Sequence, residues 1–463
     1  MTDSAASATP PLHQVRPSLP GLRWPAVPTP PDAIVLTLQG MLAEIEFMPG
    51  AALLAGQMRQ LQALGMHALQ TTSHYREYLA SHKAAFKSGL TPERWRELPV
   101  VDRETLQRNI DDFVSTKVPA SHGPTMETST SGTTGAPIKT QTTVLSVSWF
   151  KAANLHNYLL QGLDLTASVA AIRPYAQGTA TAPDGATDPK WATGLASGQG
   201  YRLNIREPIA EQVDWLRRRR PRYLQSMASN LDAIARFASD EKLDLSFIEQ
   251  VHSYGERLRP ETRALVESVV NGRVFDTYSS VELGLLAWQC PGEDYQVASA
   301  GTHYIEILRD DGEPCAPGES GRVVITPLHN FATPLIRYAN GDIAEVGEPC
   351  RHGRALPVIR RIMGRERNML LLPDGSRRWM SVEPKHIGKH MPIVRAQLLQ
   401  TALDQIEVRV QLRGELPEGA EARCTEAILA DMPGPYTVSY RYEDRIELDP
   451  GGKFEDFICQ VAR

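Results

Sequence analysis

The first regular pattern along the chain is a stripe of apolar residues at helical spacing. Such a stripe, with neighbours three to five positions apart, predicts one face of an amphipathic helix. Its members are Met58, Leu61, Leu64 and Leu69. Two further helix starts are predicted at Thr91, which proline follows in the first turn, and at Asp102. The part of the chain after the N-terminal segment is therefore expected to begin with helices.

The middle of the chain alternates helical and extended patterns. EPIAEQVDWLRRRRP and SNLDAIARFASD each place apolar residues on one helical face, and Pro221 ends the first of them. GRVFDTYSS has the pattern of a short buried strand that runs into a turn. THYIEILRDDGEP predicts a strand and a hairpin turn, and GRVVITPL predicts a second strand. This alternation predicts an α/β domain with mixed sheets and helices.

The pattern changes near residue 364. IEVRVQL and YTVSYRY alternate as strands do, and EGAEARCTEAILADM between them has a helical stripe. These elements predict a small α+β domain over residues 364–463 after a large domain over residues 34–363. Residues 1–33 are rich in proline, alanine and serine, which predicts a loosely ordered lead. Residues 175–200 have weak periodicity, which predicts a long surface loop that is either a functional lid or a mobile insertion.

Composition and charge narrow the class of protein. Of 463 residues, 42% are hydrophobic and 22% are charged, as in globular proteins, and the formal net charge is −5. An acidic balance argues against a general nucleic-acid binder. The sequence has no run of about 18 apolar residues and no apolar signal core near its N-terminus. The five cysteines, an odd number without a CxxC pair, favour reduced thiols, so we expect a cytoplasmic protein that neither spans a membrane nor is secreted.

The stretch TSTSGTTGAPIKTQTT, residues 128–143, concentrates hydroxyl side chains around two glycines. A glycine-rich turn lets backbone N–H groups converge on an anion, and threonine hydroxyls add further donors. Its natural ligand is a polyphosphate. The stretch is not a Walker loop, because Pro137 stands where that motif has its second glycine. On its own, it is equally well interpreted as a solvated linker.

Four further segments follow this loop in an order that resembles the adenylate-forming enzymes. That superfamily contains acyl-CoA synthetases, peptide-synthetase adenylation domains and luciferases. The five motifs are STSGTTGAP, DTYSSVELG, PLIRYANGDIAEVG, IMGRERNMLLLPDG and PGGKF. SYGERLRPETR, PLIRY and the spacing of DDGEP to GRVVITPL are most similar to the phenylacetate-CoA ligase branch. The resemblance covers roughly residues 85–463 and implies a large multi-subdomain N-terminal domain and a small mobile α+β domain at the C-terminus.

The resemblance implies roles for individual residues. Those expected to bind ATP or AMP are Ser131, Gly132, Thr133, Thr134, Gly135, Lys139, Gly255, Glu256, Tyr278, Ser279, Ser280, Asp342 and Arg365. Ser131 to Gly135 would wrap the β- and γ-phosphates, Tyr278 would stack on adenine, and Asp342 would accept the ribose hydroxyls. Glu282 would hold Mg²⁺, which prefers oxygen ligands. Lys453, on the small domain, would be the catalytic lysine that neutralises the transition state.

Four positions depart from the family pattern or stay open. Lys139 lies one place later than the family's lysine and is either a phosphate ligand or a surface lysine. Val281 stands where threonine or serine is usual, which removes a donor worth about 1–3 kcal/mol near the α-phosphate. Arg367 occupies the hinge, where aspartate or lysine is common. Arg337 is either a phosphate partner or a partner of a core carboxylate.

The acyl pocket is less determined by sequence. His252 would line it with Ser253 and Tyr254, or else His252 is a packed core histidine. Trp191, in the long loop, is a candidate cover for a substrate by position alone. Cys290 and the cysteine at position 315 together resemble a zinc site of some relatives. Because the sequence has no CxxC pair, we do not expect a metal there.

Together the motifs imply a ligase that uses ATP and Mg²⁺ to activate a small aryl or arylacetic acid and then transfers the acyl group to CoA. The same adenylation could end on an amine, a carrier-protein thiol or another nucleophile of secondary metabolism, which would suit Val281 and Arg367. A nucleotide-binding protein that has lost catalysis is the alternative from another class. Nucleic-acid and membrane partners are not expected, and a homodimer stays open.

Overall fold

The computed structural model describes residues 14–129, 138–379, 387–430, 432, 435–447 and 453–461. The described chain forms two compact units. The first runs up to Asn340 and includes Ala344–Ile362, and the second contains Gly341–Ile343 and the chain from Met363 onward. Each unit has its own hydrophobic core and is described separately below.

The helices of the first unit begin where the sequence carries start signals. Thr91 Oγ1 accepts a hydrogen bond from Arg94 N, and Asp102 Oδ1 accepts one from Thr105 N, so both predicted caps are confirmed. The α-helices of this unit are α1 Pro30–Ile45, α2 Gly50–Thr71, α3 Ser73–Tyr78, α4 Lys83–Ser88, α5 Pro92–Arg96, α6 Arg103–Arg108, α7 Val144–Leu160, α8 Ile209–Arg219, α9 Ala228–Asp240 and α10 Pro260–Val269. Short 3₁₀ helices occupy Ala80–His82, Ile110–Phe113 and Ala120–His122.

Most strands belong to one 13-stranded sheet. In chain order the strands are β1 Val101–Asp102, β2 Thr125–Ser129, β3 Lys139–Thr143, β4 Val169–Arg173, β5 Ala186–Asp188, β6 Gly200–Asn204, β7 Tyr223–Ser226, β8 Gln250–Tyr254, β9 Arg273–Ser280, β10 Gly284–Gln289, β11 Gln296–Ala298, β12 His303–Leu308, β13 Ser320–Pro327, β14 Tyr338–Val346 and β15 Val358–Arg365. The sheet order is β12-β13-β14-β15-β11-β10-β9-β8-β7-β4-β6-β5, and β1 pairs with β14. β2 and β3 form a separate hairpin.

The centre of this sheet is parallel. β9, β8, β7, β4 and β6 run in the same direction, and β10 and β5 pair antiparallel with the two outer members of this group. Parallel strands place their carboxyl ends at one edge, where ligands of open α/β sheets bind. The ends of β4, β7, β8 and β9 therefore define the side of the unit on which a site is expected.

Helices cover both faces of the parallel centre. Along β4, Val169 joins a core cluster that contains residues of α1 and α7, whereas Ala170 and Ile172 join a cluster with α8, α9 and α10. This distribution follows from the strand period of two, which sends successive side chains to opposite faces. The predicted stripe of α2 is buried as expected, in a third cluster with the strands at the other side of the sheet.

Residues 175–200 form the long connection that the sequence predicts, but the segment is tied to the sheet rather than lying loosely on the surface. The segment contains β5, which pairs antiparallel with β6 at the sheet edge. The Trp191 indole donates a hydrogen bond of 2.8 Å to Ala167 O, and Leu195 is buried and forms an isolated bridge with Val15 of the N-terminal segment. Its few apolar anchors are irregularly spaced, so no periodic pattern revealed them.

The second unit is the small α+β domain that the sequence predicts. It contains the 3₁₀ helix Glu366–Asn368, helix α11 Ala420–Ala430, and strands β16 Met369–Leu371, β17 Arg377–Trp379, β18 Ile393–Ala402, β19 Gln405–Leu412, β20 Thr437–Tyr442 and β21 Phe457–Cys459. β18 and β19 form an antiparallel hairpin, and β20 and β21 add to its two edges in parallel. The order is β20-β19-β18-β21. The alternating apolar side chains of β19 and the stripe of α11 share one core.

Candidate active site

The predicted phosphate-loop residues Ser131, Gly132, Thr133, Thr134 and Gly135 lie outside the described residues. The strands on either side of them are described. β2 and β3 form a hairpin in which Ser129 pairs with Lys139. At the far end of β3, Thr143 Oγ1 accepts a hydrogen bond of 3.1 Å from Ser146 N and caps helix α7. The chain thus passes from β3 directly into helix α7, whose buried side chains join a core cluster on one face of the large sheet.

Lys139 lies at the start of β3 with its ammonium group in solvent. Its Nζ is 3.6 Å from Glu127 Oε1 on the paired strand, and both side chains are exposed. This cross-strand pair is a common surface arrangement and contributes little to stability. In the described conformation Lys139 therefore has the surroundings of a surface lysine.

The DTYSSVELG motif forms the end of β9 and a tight turn into β10. Tyr278 is 8% exposed, and its hydroxyl accepts a hydrogen bond of 2.8 Å from Asn340 Nδ2. Ser279 and Ser280 precede this turn. Ser280 Oγ accepts a hydrogen bond of 3.2 Å from Leu283 N, which closes the turn. Val281 projects from this turn and is 53% exposed. The turn thus fixes the tyrosine in the core and leaves Val281 in solvent.

Glu282, the expected cation ligand, is nearly buried and already paired. Its side chain is 5% exposed, and its Oε1 lies 3.1 Å from Arg103 Nη1. The Tyr338 hydroxyl donates a longer bond of 3.5 Å to the same oxygen. Sequence reasoning missed Arg103, because it is 179 positions away from Glu282 and belongs to no motif.

The structure assigns Arg337 to the core. Its guanidinium lies 3.1 Å from Glu306 Oε1 and also donates to Arg96 O and Leu98 O, with the arginine only 2% exposed. Of the two interpretations open at this position, the partner of a core carboxylate is the one realised. The residue also has a φ of 49°, a conformation that few side chains adopt.

The two residues after β8 that resemble nucleotide contacts each have a local structural role. Gly255 has a φ of 76°, which favours glycine. Glu256 accepts hydrogen bonds from Ser229 N at 2.7 Å and from Ser229 Oγ at 3.0 Å. Since Ser229 lies in the first turn of α9, the Glu256 carboxylate satisfies one free N–H group of that helix end and complements its dipole.

The three predicted pocket residues of β8 do not share one surface. Strand alternation places His252 and Tyr254 on one face and Ser253 on the other. His252 is 4% exposed and stacks on Phe275 with ring centroids 5.7 Å apart, so it packs as a core histidine. Burial lowers its pKa to about 4, which keeps the ring neutral near pH 7. Neither of its ring nitrogens has a hydrogen-bond partner within the described part of the chain.

Ser253 faces a buried carboxylate on the opposite side of the sheet. It pairs in register with Asp276 of β9. The Asp276 Oδ2 atom accepts a hydrogen bond of 2.8 Å from Gln296 Nε2. Burial raises the pKa of Asp276 to about 6, although the positive charge of Arg263 opposes this shift.

A cavity of about 370 Å³ opens on the α7 face of the sheet. Helix α7 supplies one wall through side chains at its helical spacing, and β4, β6 and β7 form the floor. The wall residues are Phe150, Lys151, Asn154, Leu155 and Tyr158. The floor and rim include Arg173, Asp188, Lys190, Trp191, Arg202 and Gln225. The volume lies within the range of small-molecule sites, and the lining combines aromatic and charged side chains.

The cavity connects two parts of the predicted site. A β-carbon on Gly284 would lie 3.3 Å from the Phe150 ring, so the cavity wall reaches the residue that ends DTYSSVELG. At its floor, Gln225 Nε2 donates a hydrogen bond of 3.1 Å to the Tyr158 hydroxyl, and Gln225 pairs in register with His252. Of the residues singled out in the sequence, Trp191 lines the cavity.

In the second unit, the residues expected at the ribose come together. Arg365 lies 3.8 Å from Asp342 and 3.5 Å from Glu455. Arg367, at the predicted hinge, forms an ion pair with the same Glu455. Glu455 is two residues from Lys453. The ion pair between Glu455 and Arg367 therefore links the segment with the predicted catalytic lysine to the predicted hinge. Sequence reasoning did not identify Glu455.

Comparisons with known proteins identify the fold. No family model matches the sequence, and no curated protein matches it either. Solved structures do match. A 2-hydroxyisobutyryl-CoA ligase in the post-adenylation state with 2-HIB-AMP is 18% identical, with 90% of this chain and 92% of that chain covered and a TM-score of 0.70. The anthranilate CoA ligase AuaEII in complex with anthranoyl-AMP is 16% identical over 71% of this chain and 64% of that one, with a TM-score of 0.52.

A third similar structure is the McyG A-PCP complexed with phenylalanyl-adenylate, 13% identical over 82% of this chain and 73% of that chain, with a TM-score of 0.52. The large α/β unit and the small α+β unit therefore form the two-domain fold of the adenylate-forming ligases, and the predicted fold class is confirmed. In addition, no helix within the described ranges is long and apolar enough to cross a membrane.

Proposed function

We propose that this protein is an AMP-forming ligase that activates a small aryl or arylacetic acid with ATP and transfers the acyl group to CoA. The observation that carries the proposal is the position of the cavity next to the end of the DTYSSVELG segment. Helix α7, which supplies one cavity wall, begins directly after the hairpin around the phosphate-loop sequence, and a β-carbon on Gly284 would lie 3.3 Å from the ring of the wall residue Phe150. A small acid in this cavity would lie beside residues expected to bind the nucleotide.

The chemistry consists of two displacements. A carboxylate oxygen of the acid bonds to the α-phosphorus of ATP, the bond to the bridging oxygen breaks, and pyrophosphate leaves. The CoA sulfur then attacks the acyl carbon, and AMP leaves. The first step needs two anions held together and the charge around the α-phosphorus stabilised, whereas in the second step the negative charge develops on the acyl oxygen. Lys453 is proposed to supply that charge in the first step, and Asp342 with Arg365 to hold the ribose.

One carboxylate among the described residues is suited to a magnesium ion on the nucleotide. Within the described residues no group of three or more His, Cys, Asp or Glu side chains is arranged to hold a metal. Mg²⁺ on a nucleotide needs only one or two carboxylates, since phosphates and water complete its six ligands. Glu282 would be that carboxylate, because its ion pair with Arg103 and its hydrogen bond from Tyr338 both engage Oε1, and Oε2 would be the atom that meets the cation. When bound, the ion would neutralise phosphate charge.

Two observations favour a second candidate, a nucleotide-binding protein with little or no ligase activity. Val281 is exposed at a position where a hydroxyl donor is expected, and Glu282 is engaged by Arg103. An amine, a carrier-protein thiol or another small nucleophile in place of CoA would retain the adenylation step. These acceptors, a homodimer and a cytoplasmic location remain predictions.

Acid-dependent exchange of labelled pyrophosphate into ATP tests the proposal. We expect exchange with at least one aryl or arylacetic acid in the presence of Mg²⁺, and formation of an acyl-CoA when CoA is added. Exchange without formation of a thioester would mean that the acyl group is transferred to an acceptor other than CoA. No exchange across a broad panel of acids, from a protein that still binds ATP by calorimetry, would favour the second candidate.

A further inference from the structure

The cavity beside α7 contains more positive than negative charge. Five charged side chains line it, and one ion pair accounts for two of them. Arg202 Nε lies 2.8 Å from Asp188 Oδ2, and Arg202 Nη2 donates a hydrogen bond of 3.0 Å to Asp188 Oδ1. The three cations that remain are Lys151, Arg173 and Lys190.

No carboxylate in the described part of the chain pairs with these three cations. Lys151 and Lys190 form no ion pair there, and the Arg173 guanidinium donates a hydrogen bond of 2.9 Å to the Tyr175 hydroxyl. The chain as a whole has a net charge of −5. A local excess of three positive charges in an acidic protein creates a potential that attracts an anionic ligand.

The walls between these cations are aromatic. Phe150, Tyr158, Trp191 and Tyr201 line the cavity, and the Tyr158 and Trp191 rings meet edge to face with centroids 5.4 Å apart. Flat aromatic walls favour a planar ring. A volume of about 370 Å³ accommodates one substituted ring but no large acyl chain.

We propose that the acid activated by this enzyme is a planar aromatic acid with a second anionic group, which pairs with Lys151, Lys190 and Arg173. This inference rests on the proposed function and adds the class of substrate. The carboxylate that reacts loses its own charge when it becomes the acyl group of the adenylate. Cations that served only that carboxylate would lose their partner at this step. A second anion keeps its charge, so these side chains would hold the acid and the acyl-adenylate alike.

The test compares two acids of nearly the same shape, 4-carboxyphenylacetic acid and its ester 4-(methoxycarbonyl)phenylacetic acid. Pyrophosphate exchange is measured for the wild type, for Lys151→Gln/Lys190→Gln, and for the control Lys83→Gln/Lys87→Gln, whose lysines are exposed on α4. We expect kcat/KM for the diacid to exceed that for the ester by up to about tenfold in the wild type and in the control, since the ion pairs of two exposed lysines together provide at most about this factor. The cavity variant should lose the preference and retain activity with the ester.

Three results would overturn the inference. Equal activity of the wild type with both acids would do so, and so would a preference that survives in the cavity variant. A third is a cavity variant that raises only the KM for CoA, which would assign the cations to a CoA phosphate. If no acid supports exchange, the proposed function fails. Calorimetric binding of the two acids to the same variants then still decides whether the cavity prefers the dianion.

Discussion

The carboxylate of Glu282 is held by the guanidinium of Arg103, with 3.1 Å between Oε1 and Nη1. The glutamate side chain is only 5% exposed, and the arginine side chain is 28% exposed. The expected magnesium ligand is therefore oriented by a residue at the start of α6. A nearly buried carboxylate without its cationic partner is costly, whereas the intact pair need not add net stability.

Replacement of Arg103 by methionine should therefore destabilise the protein. We expect the free energy of unfolding to fall by about 1–3 kcal/mol, less than for a fully buried pair because Arg103 is partly exposed. Urea denaturation measures this change. Arg108→Met is the matched control, since Arg108 lies on the same helix and pairs with the equally exposed Glu104. Its effect should stay within about 0.5 kcal/mol. Equal effects of the two substitutions would mean that the Arg103–Glu282 contact contributes no more to stability than an exposed ion pair does.

Arg337 is a second arginine that pairs with a buried carboxylate, and it is more deeply buried than Arg103. Its ion pair with Glu306 is buried on both sides, and it also donates to two backbone carbonyls. Arg337→Met should lower the free energy of unfolding by about 3–5 kcal/mol, because it leaves Glu306 charged and buried without a cation. Arg309→Met, which removes exposed pairs on the neighbouring hairpin, is the control. Any folded Arg337→Met protein should bind ATP with unchanged affinity. A stable variant with weakened ATP binding would instead identify Arg337 as a phosphate ligand.

Local signals in the sequence were sufficient for the elements but not for the cavity. The caps at Thr91 and Asp102 and the alternation of β19 were predictable because the residues that determine them are adjacent in the chain. The cavity depends on the sheet order β7-β4-β6, which brings distant segments together beside α7. No local pattern encodes that order. The Arg103–Glu282 pair was hidden for the same reason.

Strand alternation explains the one group of site residues that the structure divides. His252, Ser253 and Tyr254 are consecutive, so a linear motif suggests one surface. In a strand the middle residue must face the other way. Ser253 accordingly faces Asp276, and His252 faces the α7 side beside Tyr158. A strand assignment applied to this motif would have revealed the division from the sequence.

His252 should make the stability of the protein dependent on pH. Burial lowers its pKa to about 4, whereas an unfolded histidine titrates near pH ~6.5. The unfolded state therefore takes up a proton first, so the stabilisation is complete above pH ~6.5 and is lost as the pH falls toward 4. The loss amounts to about 3 kcal/mol at most.

The variant His252→Phe removes this titration and retains an aromatic ring against Phe275. Urea denaturation at pH 7.0 and pH 4.5, which are about half a unit above and two units below the unfolded value, should show a smaller fall in stability for the variant than for the wild type. Part of the fall will remain, because burial also lowers the pKa of His303 to about 4 and that of His329 to about 3. Identical pH profiles of variant and wild type would show that His252 is protonated equally well in the folded state.

Lys453 gives the most direct test of the adenylation step. In its own domain the lysine lies two residues before Glu455, which is held by Arg365 and Arg367. Lys453→Ala should reduce pyrophosphate exchange by about 10²–10³-fold, as the removal of one group that stabilises transition-state charge typically does. The Glu455 ion pairs remain in this variant, and its unfolding midpoint is measured to show that the domain is folded. Lys389→Ala removes another lysine of the same domain that is exposed, and it should leave exchange unchanged.

Thioester formation from chemically prepared acyl-adenylate should survive in Lys453→Ala, since that step breaks no bond at ATP. If the variant loses both half-reactions equally, Lys453 acts on the fold of the domain or on AMP binding rather than on the attack at the α-phosphorus.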